Sequence, residues 1–334
     1  KNGAYDTEVL LDDTLLFAYR NDSFSFGDSR YANAIVDYAY FKTNGRRMLQ
    51  TKRLPNCRFP NVRYFNNGII DMNSKTARKV EVILSDERGN RTDFTFYLQR
   101  ELQNPNVALM NKLTMSKTDE TGTSSSRFVR YVPCDRASNF YTPDSSLISI
   151  REGSLYENLE LRYSCTEGVY SKVHRIHDNL TPLHKSFTMK LRYKPSLEPY
   201  RKKALVVSVD GKGRISSIGG KPEGGYIVAN SSNFGTFRIE IDTVPPKASA
   251  KNFSNGKRIG KNQSSIQIRI SDNLSGVERY DAYLNGKWIL MEYDGKSATI
   301  SCDARQIPSG RNNLRLELED ARGNKTTENF VIVK

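Results

Sequence analysis

His174, His177 and His184 are the three histidines in this chain, and they are the first place to look for a metal site. His174 and Asp178 stand at HxxxD spacing, which on a helix would put two ligands on one face. The neighbouring Val173 and Ile176 fit a strand instead, where His174 and His177 point to opposite faces. Metal binding by His174, His177 and Asp178 is therefore disfavoured. The histidines are read as hydrogen-bonding the loop that leads to Pro182. Asp210-Gly211-Lys212-Gly213-Arg214 superficially resembles a phosphate loop, but GxxxxGK and GxGxxG are both absent and strands flank it, so it is read as a hairpin. No GxSxG elbow occurs, and Ser124-Ser125-Ser126 ends a polar run over 117–126 that reads as a loop. Glycoside hydrolysis needs only paired carboxylates and stays open.

Asp86, Asp320 and Asp272-Asn273 offer hard oxygen ligands at the ends of strands, as calcium requires. A calcium site takes roughly 6–8 oxygens and each motif supplies one or two carboxylates, so a turn-stabilising role is preferred. No cofactor is implied. Two aromatics are candidates for stacking on a sugar. These are Trp288, which follows an Asn285-Gly286 turn, and Tyr226 in the middle of the chain. For Trp288, burial against an opposite sheet is the preferred reading.

The elements that must position these residues are strands. Residues 80–84, 94–98, 266–270 and 314–318 alternate apolar and polar, and turns such as Asp294-Gly295 and Arg88-Gly89-Asn90 separate such runs. No amphipathic helix longer than about two turns is evident. The chain is all-β. Its 334 residues predict two or three domains at roughly 150 residues each. No apolar run approaches the roughly 18 residues of a membrane-spanning helix. Lys1-Asn2-Gly3 is neither a start methionine nor a leader, so any targeting signal is expected to have been removed. Cys57, Cys134, Cys165 and Cys302 lack metal-ligand spacing, and four free thiols are preferred to a Cys134–Cys165 disulfide. The 51 basic residues against 37 acidic ones leave a charge of +14. They are dispersed, with Arg46-Arg47, Lys52-Arg53, Arg78-Lys79 and Lys202-Lys203 the densest clusters, which argues against nucleic acid and for anionic surroundings.

The two ends of the chain repeat each other. Asp86-Glu87-Arg88-Gly89-Asn90-Arg91-Thr92 returns as Asp320-Ala321-Arg322-Gly323-Asn324-Lys325-Thr326, with alternating strands on both sides. In this Asp-x-x-Gly-Asn turn, Gly89, Asn90, Gly323 and Asn324 tolerate left-handed backbone, while Asp86 and Asp320 hydrogen-bond amides of their own turn. Residues 3–17 also track 276–290 without a gap, so a duplicated domain is expected. The C-terminal copy holds a further strand before residue 276 that the N-terminal copy lacks. The expected domains are 1–103, a sandwich without its first strands and with an insertion near 20–61; 104–243, a central sandwich; and 244–334, a complete copy of the first. Asn104-Pro105 and Asp242-Thr243-Val244-Pro245-Pro246 mark the boundaries, and the double proline stiffens the second link.

Several stretches resemble a known family. They are Val173-His174-Arg175-Ile176-His177, Pro182-Leu183-His184-Lys185, Asp210-Gly211-Lys212-Gly213-Arg214-Ile215-Ser216-Ser217-Ile218-Gly219-Gly220, Asp242-Thr243-Val244-Pro245-Pro246 and Gly286-Lys287-Trp288-Ile289-Leu290-Met291-Glu292-Tyr293-Asp294. Asn21-Asp22-Ser23-Phe24-Ser25-Phe26 with Ser29-Arg30-Tyr31 is also similar. Together they resemble the C-terminal, non-catalytic region of exported Gram-negative lysostaphin/LytM-like zinc peptidases. The resemblance implies tandem immunoglobulin-like domains, export to the periplasm or outer envelope, and a peptidoglycan substrate for a peptidase domain that this chain lacks. The family's zinc site needs HxxxD and a downstream HxH, and no HxH follows His174. The chain is thus expected to be non-enzymatic. Its implied partners are peptidoglycan or another anionic envelope polymer, and the missing N-terminal peptidase domain. The alternative is a cell-surface adhesion or carbohydrate-binding module.

Overall fold

Strand alternation decides which side chains face inward, and in the computed structural model every alternating segment named above lies within a strand. The structure describes residues 4–72, 76–100, 126–260 and 262–334. The Asn104-Pro105 boundary and the serines at 124 and 125 lie outside the described residues.

The N-terminal part contains β1 (Asp6–Leu11), β2 (Thr14–Arg20), α1 (Tyr38–Asn44), β3 (Val62–Tyr64), β4 (Arg78–Ser85) and β5 (Arg91–Leu98). Its described strands make one antiparallel sheet in the order β3-β2-β1-β4-β5, with Val9, Leu16, Phe17 and Val80 as the core. The segment between β2 and β3 forms a 3-10 stretch (Phe26–Ala34) and α1. Asp37 caps α1 by accepting from Tyr40 N, and Gly45 ends it at φ +70°. This insertion packs on Tyr19 and Val62 of its own sheet and also reaches the middle part of the chain. Ala34, Ile35, Leu54, Cys57 and Phe59 share a core with Tyr156. The Tyr156 hydroxyl donates to Arg30 O at 2.5 Å, and Asn56 Nδ2 donates to Leu155 O at 2.9 Å.

The middle part contains β6 (Ser126–Val132), β7 (Ser138–Tyr141), β8 (Leu147–Ile150), β9 (Leu159–Thr166), β10 (Val173–Ile176), β11 (Phe187–Arg192), β12 (Ala204–Val209), β13 (Ile215–Gly219), β14 (Lys221–Glu223), β15 (Tyr226–Ser231) and β16 (Gly235–Ile241). A six-stranded sheet, β13-β12-β16-β10-β9-β6, faces a five-stranded sheet, β14-β15-β11-β8-β7. Leu161, Ile176, Phe187, Met189, Val206 and Phe237 fill the space between them.

All four cysteines are free and buried. The Cys134–Cys165 pairing left open above is excluded by register. Cys165 sits opposite Ser126 at one end of the β6–β9 ladder, while Cys134 lies beyond the Val132–Leu159 pair at the other end. At about 3.4 Å per residue the two are roughly 20 Å or more apart, against the roughly 4.4–6.8 Å between Cα atoms that a disulfide spans.

The C-terminal part contains β17 (Lys247–Ala250), β18 (Ser265–Ser271), β19 (Val277–Leu284), β20 (Lys287–Ile289), β21 (Glu292–Asp294), β22 (Thr299–Asp303), β23 (Arg311–Asp320) and β24 (Lys325–Val333). Sheet β17-β18-β22-β21 packs on β20-β19-β23-β24 around Ile266, Ile268, Ile300, Leu314, Leu316 and Ile332. The order β20-β19-β23-β24 repeats β2-β1-β4-β5 of the N-terminal sheet, as the duplicated sequence requires.

The repeated turn has the same wiring twice. Asp86 Oδ1 accepts from Arg88 N and Asn90 N at 2.9 Å, and its Oδ2 accepts from Asn90 Nδ2 at 2.7 Å. Asp320 makes the equivalent bonds to Arg322 N, Asn324 N and Asn324 Nδ2 at 2.8, 2.8 and 2.7 Å. Gly89 and Gly323 adopt φ of +81° and +72°, where a side chain is disfavoured. The surroundings differ. The first turn is exposed, whereas Asp320 and Asn324 are buried against the middle sandwich. Asn324 Nδ2 also donates to Asp242 O at 2.9 Å, and Arg322 Nη1 donates to Ala204 O and Gly220 O at 3.0 Å. Removing a buried, doubly bonded amide costs about 1–3 kcal/mol, while its exposed counterpart contributes less. Asn324→Ala is accordingly expected to lower unfolding free energy by that amount and Asn90→Ala by under about 1 kcal/mol. Urea unfolding of the two variants measures the difference, and equal losses would contradict it.

Candidate functional site

Trp288 does not join the core, contrary to the preferred reading of the sequence. In β19, Ala282 and Leu284 point inward, so Tyr283 between them points outward, and Trp288 of β20 is the residue paired with Tyr283. Register therefore places the indole on the outer face, where it is 57% exposed. Tyr283 is also paired with Arg315 of β23, whose guanidinium lies 4.4 Å from the Tyr283 ring centroid. Trp288, Tyr283 and Arg315 thus form a row across three adjacent strands. Trp288 Nε1 donates to Asp281 Oδ1 at 3.3 Å, and Arg279 Nε donates to Asp281 Oδ2 at 3.1 Å. Beside the row, Arg279, Asp281, Tyr283 and Glu317 line a shallow cavity of about 240 Å³. Leu290, between β20 and β21, and Tyr293, in β21 of the other sheet, are also 58% and 52% exposed. Flat aromatic faces bordered by a carboxylate and guanidinium groups suit a ligand with apolar faces and a hydroxylated rim.

Tyr226, the other aromatic candidate, belongs to a different sandwich. It is half-buried in β15, paired with Arg192 and Glu223, and shares no contact with Trp288. Asp86, Gly89, Asn90, Asp320, Gly323 and Asn324 form the two turns described above. Sequence reasoning missed Tyr283, Asp281 and Arg315. The signal for them was the period-two spacing of Asp281 and Tyr283 about the Asn285-Gly286 turn, once that hairpin is registered on Trp288.

The histidines have three separate surroundings. His174 is wholly buried, and its Nδ1 is hydrogen-bonded to the Tyr163 hydroxyl at 2.7 Å, not to the loop before Pro182 as expected. Inward-facing β10 positions point into the sandwich, and His174 occupies one of them. His177 lies just beyond the end of β10 with φ +54°, which turns its ring so that Nε2 reaches Thr181 Oγ1 at 2.9 Å in that loop. His184 stacks on Tyr31 of the insertion at 4.2 Å between ring centroids. Asp178 pairs with Arg162 at 2.5 Å. His174 meets Asp144 at 3.6 Å and His177 meets Asp178 at 3.7 Å, so no two histidines join one carboxylate here. Asp210-Gly211-Lys212-Gly213-Arg214 is the β12–β13 hairpin turn, with Asp210 Oδ1 accepting from Lys212 N and Arg214 N. The Cys302 thiol is pushed up to about 11 by burial, which keeps it protonated and unreactive.

Tandem β-sandwiches with an exposed aromatic row define the class of protein. Residues 129–242 match the family described as a Zu5-like domain, which spans most of the middle sandwich. No curated protein matches the chain. Among solved structures, the fibronectin(III)-like modules of Clostridium thermocellum CbhA are 13% identical, cover 45% of this chain and 86% of their own, and superpose with a TM-score of 0.23. A 1.5-MDa bacterial ice-binding adhesin is 9% identical over 100% of this chain and 88% of its own, with a TM-score of 0.19. The Bacteroides ovatus mixed-linkage glucan utilization protein SGBP-B, solved with a mixed-linkage heptasaccharide, is 9% identical over 98% of this chain and 60% of its own, with a TM-score of 0.17. Among the described residues no helix is long and apolar enough to cross a membrane.

Burial holds the His174 imidazole down to about 4, with Lys172 acting in the same direction and Asp144 opposing. An unfolded histidine takes up its proton near 6.5. Stability is therefore complete above pH 6.5 and falls as the pH drops from 6.5 to 4, by up to about 3 kcal/mol from this residue. Burial lowers His177 and His184 as well, adding to the same loss. Urea unfolding between pH 7 and pH 4 is expected to show this slope, reduced in His174→Gln. An unchanged slope in the variant would contradict the buried neutral assignment.

Proposed function

We propose that this chain is a non-catalytic β-sandwich module of an exported envelope protein, and that its C-terminal sandwich binds a glycan chain across the row Trp288, Tyr283 and Arg315. The observation that carries this reading is the exposed indole held in place by Asp281 and flanked by Tyr283. An exposed tryptophan of this size has no packing role in the core, and its polar N–H is already bonded, so its face is free for a sugar ring. The excess of 51 basic over 37 acidic residues favours an anionic polymer such as peptidoglycan.

A second reading, that the domains form an arm positioning a cell-wall peptidase, is supported by the contacts between the middle and C-terminal sandwiches. Besides the Asn324 and Arg322 bonds, Lys203 Nζ donates to Arg322 O at 2.8 Å. Such contacts limit the angle that the Pro245-Pro246 link allows. The two readings are compatible, since an arm that grips its polymer also delivers whatever it carries.

Pull-down on insoluble peptidoglycan together with a glycan array tests the proposal. Binding by the wild-type chain is expected, with Trp288→Ala weakening it at least about tenfold, equivalent to about 1.4 kcal/mol. Tyr226→Ala is expected to leave binding unchanged. Retention of full affinity by Trp288→Ala would remove the proposed platform, and a wild-type chain that binds no glycan would remove the function.

A further inference from the structure

Three aspartates from separate loops meet where the middle sandwich joins the C-terminal one. Asp242 follows β16, the last strand of the middle sandwich; Asp272 follows β18; and Asp320 ends β23. One carboxylate oxygen from each lies within 4.8 Å of the others. We propose that Asp242, Asp272 and Asp320 bind a calcium ion that locks the two sandwiches together. This site is independent of the glycan platform.

The distances fit. Two oxygens that bind the same Ca²⁺ at roughly 2.3–2.6 Å stand no more than about 5 Å apart. Burial makes the charge difficult to leave alone, because Asp242 and Asp320 are each 1% exposed. Like charges gathered in a low-dielectric place repel strongly unless a cation offsets them. Among the described residues none of the three forms an ion pair within 4 Å; the half-buried Arg322 attracts Asp320 and Asp242 at longer range but spends its Nη1 on the carbonyls of Ala204 and Gly220, so a single positive charge faces three carboxylates.

A second observation points to a missing partner. Asp272 Oδ1 is fully buried and has no hydrogen-bond partner, and the same holds for the Oγ of Ser275, whose own amide donates to Asp242 Oδ2 at 2.8 Å. Leaving a buried acceptor unmatched costs about 1–3 kcal/mol, more when it is charged, so such an oxygen calls for a ligand. The other carboxylate oxygens accept from backbone amides, except Asp320 Oδ2, which accepts from the Asn324 side-chain amide. Asp272 Oδ2 accepts from Leu274 N and Gly276 N at 2.9 Å, and Asp320 Oδ1 accepts from Arg322 N and Asn324 N at 2.8 Å. These bonds orient the carboxylates before any ion arrives.

The chain contains its own control. Asp86 has the same turn wiring as Asp320 but is exposed, and among the described residues it joins no carboxylate cluster. The turn therefore needs neither burial nor convergence, and both are added only at the junction. All-oxygen donors without nitrogen or sulfur select a hard cation over zinc. Ligands drawn from three loops suit the adaptable calcium shell better than the strict octahedron of magnesium.

Calorimetric titration of CaCl2 into the full chain after EDTA treatment, paired with thermal unfolding, tests the site. One Ca²⁺ per chain is expected, with Kd of about 1 mM or tighter and a rise in Tm. Asp272→Asn retains an oxygen for the Leu274 and Gly276 amides and is expected to weaken binding at least about tenfold, whereas Asp86→Asn leaves it unchanged. The wild-type chain alone decides whether an ion binds, so no calcium uptake by the folded protein would overturn the proposal. Uptake that survives Asp272→Asn would overturn the location.

Discussion

The carboxylate of Asp320 is the contact on which the junction depends. By accepting three donors from its own turn it closes the β23–β24 hairpin and fixes Asn324 in position. That position lets one Nδ2 group serve both Asp320 and the carbonyl of Asp242 in the preceding linker. Arg322, in the middle of the same turn, reaches two carbonyls of the middle sandwich. A local turn motif thereby becomes an inter-domain clamp. The same motif at Asp86 shows what the turn does without the clamp, since its carboxyl is lowered by its bonds to Asn90 and its surroundings remain solvent.

Strand register does comparable work at the opposite end of the C-terminal sandwich. Ala282 and Leu284 enter the core, so Tyr283 and its partner Trp288 cannot. The large aromatic surface left outside is what a binding face needs, and its charged border of Asp281, Arg279 and Arg315 comes from the same outward-facing positions of β19 and β23. One alternation thus makes both the core and the exposed aromatic row. The insertion between β2 and β3 adds a third kind of joint. It buries Tyr156 and stacks Tyr31 on His184, so the N-terminal sheet is tied to the middle sandwich through side chains and not only through the chain.

Much of this was legible in the sequence. Period-two runs marked the strands, and the repeated Asp-x-x-Gly-Asn motif anticipated the matching sheet order of the two ends. The site was legible only in part. Trp288 stood out by type, but a strand offers two faces and its sequence neighbours do not say which one meets the opposing sheet. The sequence reads His174 as a strand residue bonding the loop before Pro182, but spacing does not say which strand face meets the opposing sheet; His174 faces inward to Tyr163, and His177 at the strand's end is the one that reaches that loop.

By itself the sequence determined the all-β class, the turns and the duplication, because these rest on local backbone preferences and short-range alternation. Only the tertiary structure decided that Trp288 faces solvent, that Cys134 and Cys165 lie at opposite ends of one ladder, and that Asp242, Asp272 and Asp320 converge. Each of those outcomes depends on pairing between strands far apart in the chain, and no local preference carries that information.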